Sequence, residues 1–148
     1  MNGPAPHRPD ADWADRPLRD TLAWVLHSIE QPASAAGDWI AYEVDPSRAS
    51  PAALLCDPST PVSRLRRARI LYAALRADGE TAEERTLGSR LAVACAAAAF
   101  LFHGERLTNH DDAALLASFR SAAADEGLDP KVREMVSAAE RRLAHGMG

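Results

Sequence analysis

Apolar side chains between residues 16 and 30 fall at Leu18, Leu22, Val25, Leu26 and Ile29, one stripe of an amphipathic helix from Arg16 to Glu30. Asp15 stands where a cap is needed. Pro17 is tolerated in a first turn, where its missing amide would have no intrahelical partner. Trp24 and His27 lie off the stripe. The pattern then breaks, because Pro32, Pro46, Pro51 and Pro58 exclude any long helix between Gln31 and Thr60. The expectation is an irregular Pro/Ser/Ala-rich strap over residues 31–60. Within it Trp39, Ile40, Tyr42 and Val44 form an extended stretch, and Pro51 to Cys56 makes one or two helical turns. So long a stretch without regular structure implies that it packs on the other elements or serves as a binding loop.

Helical periodicity returns after residue 60. Thr60 is placed to cap and Pro61 to open a helix reaching about Ala77, with Leu65, Ala68, Leu71, Tyr72 and Leu75 on one face and Gly79 as a left-handed C-terminal cap. Thr81-Ala82-Glu83-Glu84 has the form of a capping box, in which hydroxyl and carboxylate satisfy each other's orphan amides. The helix it starts runs to about His103 before Gly104 and has almost no polar face from Leu91 onward, so it is expected at the centre of the fold. Gly88, Ala92, Ala96 and Ala99 give it a small-residue ridge along which a neighbour can approach closely. A fourth helix starts at Asn109 or His110, carries Leu115, Leu116, Phe119, Ala122 and Ala123, and ends at Gly127. Asp129-Pro130 opens the last one, with Val132, Met135, Val136, Ala139 and Leu143 inward and Arg141, Arg142 and His145 near its negative end. The fold class is therefore all-α, a single-domain bundle of four to five helices around a central Ala-rich helix. Residues 1–12 are read as a disordered tail and 13–148 as the helical domain.

Composition refines this picture more than it changes it. A chain of 148 residues, 47% hydrophobic but only 5% aromatic, suits a core built largely from alanine and leucine. About 70% of the unfolded chain's surface can be buried at this length without disulfides or metal. The Pro-rich, polar start has no apolar segment of a secretory signal, and the apolar run Leu91 to Phe102 is shorter than the ~20 residues of a bilayer span. With no CxxC pattern, Cys56 and Cys95 read as reduced thiols, which favours a cytoplasmic location. The formal charge of −4 is unevenly placed: residues 1–60 carry 4 basic and 9 acidic side chains, and residues 61–148 carry 13 and 12.

The candidate chemistry falls into three sets. His103, Glu105, His110, Asp111 and Asp112 offer imidazole and carboxylate ligands, and a metal-dependent hydrolase centred on His103, His110 and Asp111 is one reading. The same residues suit helix termini, where imidazolium favours the C-terminal end and carboxylate the N-terminal end, and capping is preferred. Arg64, Arg66, Arg67, Arg69 and Arg76 share one helix, with Arg66, Arg69 and Arg76 projecting to one side of its apolar face. They suit nucleic-acid phosphates, although the acidic total and the lack of interleaved aromatics weigh against this and internal pairing would neutralise them. The pair of helices over Asp111 to Leu143 resembles any αα-hairpin as closely as it does a helix-turn-helix. Trp24, His27 and Ile70 lie away from their helices' apolar stripes and are candidate partner contacts. There is no phosphate loop, no dinucleotide-binding glycine pattern, no HExxH and no GxSxG elbow. The preferred reading is a small, non-catalytic interaction or regulatory protein that needs no cofactor or membrane and docks another protein or itself. Nucleic-acid binding through Arg66, Arg69 and Arg76 is the alternative.

Overall fold

The computed structural model describes residues 33–147, which form an all-α bundle. Its helices are α1 (Ala33–Val44), α2 (Pro51–Leu55), α3 (Val62–Asp78), α4 (Ala82–His103), α5 (Asp112–Ala123) and α6 (Pro130–Met147). The amphipathic segment 16–30 and the tail 1–12 lie outside the described residues. No strand occurs among the residues described.

The largest departure from expectation is α1, a helix where an irregular strap with an extended stretch was expected. The four prolines leave residues 33–45 free of proline, enough for three helical turns. Ala36, Ile40 and Val44 recur at i, i+4 and i+8 and are fully buried, as is Ala41 beside them. The apparent alternation of Trp39, Ile40, Tyr42 and Val44 is a by-product: Trp39 and Tyr42 lie half-buried on the outer side, edge to face with centroids 6.1 Å apart. Buried Tyr72 ties this helix to α3 by donating its hydroxyl to the Gly37 carbonyl at 3.0 Å. The short helix within Pro51–Cys56 is present as α2, capped by Ser50, whose hydroxyl accepts from the Ala53 amide.

The core lies around α4, which packs against each of the other five described helices. Its start is the expected capping box: Thr81 Oγ1 accepts from the Glu84 amide at 3.1 Å, and Glu84 Oε1 accepts from the Thr81 amide at 3.0 Å. Gly104 ends it in the left-handed region at φ 66°. Ala94 to Ala99 is buried without interruption. At 22 residues α4 meets the length and composition of a membrane-crossing helix, and 44% of its apolar window is buried inside the bundle. The small-residue ridge acts where Gly88 meets α3, since a Cβ there would lie 2.6 Å from both the Tyr72 carbonyl oxygen and the Arg76 amide nitrogen. A three-residue turn joins α3 to α4, and Gly88 faces Tyr72 across it, so the two run antiparallel.

Several helix boundaries differ from those expected. Pro61, with extended backbone, holds the cap position of α3, while Thr60 is buried and its hydroxyl has no hydrogen-bond partner among the described residues. Gly79 ends α3 at φ −59°, outside the left-handed region, and a Cβ there would come within 2.7 Å of the Leu75 carbonyl oxygen. Glycine is thus retained there by space. Asp111 caps α5 by accepting from the Ala114 amide at 2.8 Å, which moves the start past Asn109 and His110. The C-cap of α5 is Ala124, three residues before Gly127.

Candidate functional site

The three candidate ligands His103, His110 and Asp111 do not form a cluster. His103 Nε2 lies 2.8 Å from the Thr60 carbonyl oxygen and, as its hydrogen-bond donor, ties the end of α4 to the start of α3. The Asp111 carboxylate is the α5 cap, and Asp112 pairs with Arg106. Among the described residues no three His, Cys, Asp or Glu side chains are grouped to hold a metal ion. The cysteines also stand apart. Burial raises the Cys95 thiol far above its ordinary range, and burial, with Asp129 nearby, raises that of Cys56.

The arginines of α3 divide by role. Arg64 donates to the Val44 carbonyl at 3.0 Å and so caps α1. Arg67 is half-buried, and loss of solvent lowers its pKa. Arg66, Arg69 and Arg76 make no ion pair among the described residues. Asp45 is neutralised by Arg48 instead: its carboxylate accepts from Arg48 at 2.5 Å and from the Ser47 hydroxyl at 2.6 Å. Burial alone would raise the pKa of Asp45, yet these bonds hold it below the ordinary carboxylate range.

Helix geometry explains what the remaining arginines share. Leu65, Ala68, Leu71, Tyr72 and Leu75 turn inward, so Arg66, Ile70 and Ala77 point outward at i, i+4 and i+11, with Ala73 beside them. Ile70 is 36% exposed, one of two large apolar side chains so exposed among the described residues. Arg69 and Arg76 flank this outer face on the side toward α4 and α5. Their Cα atoms are two turns apart, about 10 Å along the axis. Trp24 and His27, the other expected partner contacts, fall outside the described residues.

Beside that face lies a groove of about 130 Å³ between α3, α4 and α5. Ala92, Val93, Ala96 and Phe119 give it an apolar floor, and Arg69, Arg76, Ser89, Thr108 and His110 stand around it. No carboxylate lines it among the described residues. The larger hollow of about 370 Å³ near Leu87 and Leu128 is different, since Glu83 and Asp125 line it and Arg90 is paired to Asp125 at 2.7 Å. The sequence drew attention to Arg69, Arg76 and His110, but as parts of two unrelated sites. Ser89 and Thr108 carried no sequence signal. The visible clue was the ridge at Ala92 and Ala96, whose small side chains leave the space above α4.

Comparison with protein families, curated proteins and solved structures finds no match.

Proposed function

We propose that this protein is a non-catalytic interaction module that docks a protein partner on the outer face of α3. The reading rests on one observation: an exposed Ile70 lies among Arg66, Arg69 and Arg76, three cations without an ion pair among the described residues, in a chain of net charge −4. An apolar contact ringed by arginine is the composition of an interface centre, where the guanidinium groups select an acidic counterpart. The complementary surface is an apolar patch with carboxylates around it. A second copy of this chain is a poor occupant, because a two-fold contact through this face sets arginine against arginine.

Affinity capture with the full chain, alongside its solution mass, tests the reading. The expected result is a monomer that retains a partner, with retention lost in Ile70→Asp and weakened in Arg66→Glu. Equal retention by parent and Ile70→Asp, or self-association through this face, contradicts it. Nucleic-acid binding uses the same arginines. It would be revealed by a salt-sensitive mobility shift that Ile70→Asp leaves intact and Arg66→Glu with Arg69→Glu removes.

A further inference from the structure

The groove beside the docking face carries a more specific chemistry. Its polar rim comes from three parts of the chain: Arg69 and Arg76 from α3, Ser89 from α4, and Thr108 and His110 from the connection into α5. Neither arginine has an ion pair among the described residues, and the Ser89 and Thr108 hydroxyls make no hydrogen bond among them. In an acidic protein, uncommitted donors around a cavity without a carboxylate create a local field that favours an anion. Ser118, also on the wall, is committed to the Ala114 carbonyl at 3.1 Å and adds no free donor.

We infer that this groove receives the phosphate group of a phosphorylated side chain on the docked protein. A phosphate monoester carries about −1.5 to −2 charges and three acceptor oxygens, which suits two guanidiniums, an imidazole and two hydroxyls arriving from different sides. Size limits the ligand. About 130 Å³ equals the share of roughly four waters, enough for one phosphate and the first carbons of its stem. Ligand pockets for whole small molecules start near ~300 Å³, so a complete nucleotide does not fit. The floor of Ala92, Val93, Ala96 and Phe119 receives the apolar stem while the rim holds the oxygens. Assignment of the phosphate to a protein partner rests on the docking reading of α3, whereas the anion site itself does not.

The first arm of the test is a titration of the isotope-labelled full chain with inorganic phosphate, followed by NMR at constant ionic strength. Saturable shifts at Arg69, Arg76, Ser89, Thr108 and His110 are expected. The Arg69→Ala, Arg76→Ala double variant should weaken binding at least about tenfold, as loss of charge-assisted bonds requires. Thr108→Asp, which places a carboxylate on the rim, should do the same, while Arg141→Ala, exposed on α6 away from the groove, leaves affinity unchanged. Shifts no larger than those from sodium chloride, or a response indifferent to both groove variants, overturn the site. The second arm captures partners before and after phosphatase treatment. Loss of capture after treatment and in the double variant supports the assignment. Capture insensitive to phosphatase, or retention of nucleic acid in place of protein, overturns it. Ile70→Asp separates the two readings: phosphate binding that persists while capture is unaffected leaves the site standing and removes the docking face.

Discussion

Replacing Gly88 by alanine tests how closely α3 and α4 are packed. The added Cβ would lie 2.6 Å from the Tyr72 carbonyl oxygen and the Arg76 amide nitrogen and 3.1 Å from the Leu75 carbonyl carbon. Ordinary contacts begin near 3.4 Å, so the helices must separate locally by roughly 0.8 Å. All of these neighbouring atoms belong to backbone, which a rotamer change cannot move. Overpacking a filled core costs about 1–3 kcal/mol, and backbone contact places this site near the upper end. Alanine regains about 1 kcal/mol of helix propensity. The net expectation is a loss of about 2 kcal/mol, or roughly 4–8 °C in melting temperature at this chain length. Urea unfolding followed by far-UV circular dichroism measures it. Gly146→Ala in α6 is the control: a Cβ there meets nothing within 4 Å, so the variant should match or slightly exceed the parent. A Gly88→Ala protein as stable as the parent would refute the close approach.

Other expectations follow from single contacts. Thr81→Ala removes half of the capping box and should cost about 1 kcal/mol in the same unfolding assay. A thiol reagent should modify half-buried Cys56 slowly in the native protein and reach fully buried Cys95 only on unfolding; rapid native labelling of both would contradict the packing of α4. Asp45 has a carboxyl pKa lowered by folding, so its contribution to stability is present above the ordinary carboxylate range and is lost as pH falls through the lower folded value. Thermal melts across that acidic range should show a shallower decline for Asp45→Asn than for the parent, together with a lower neutral-pH melting temperature.

What the sequence made legible follows from where the decisive physics lies. The Thr81 cap, the inward stripes of α3, α5 and α6, and the central place of α4 are local or periodic properties, and all were readable. The α1 helix was missed because its buried stripe consists partly of Ala36 and Ala41, whereas the conspicuous Trp39 and Tyr42 face outward. Proline spacing masked a sufficient window between Pro32 and Pro46. The C-terminal conformation at Gly79 was misjudged because steric room and a left-handed φ demand the same residue. The groove is a tertiary object. Arg76 and His110 are 34 positions apart in sequence, and only the packing of α3, α4 and α5 places them around one cavity. Histidine beside two aspartates allowed a metal or helix capping, with capping preferred; Asp111 caps α5 and Asp112 pairs with Arg106.

The docking face is tested most directly by a photo-crosslinking amino acid placed at Ile70 in the full chain within its native cells. Arg141, exposed on α6, carries the same probe as control. Irradiation should yield a discrete adduct to another protein from position 70 and none from position 141, with the adduct from position 70 lost when Arg66 and Arg69 are changed to Glu. No adduct from position 70, or equal adducts from both positions, would contradict a partner surface on α3.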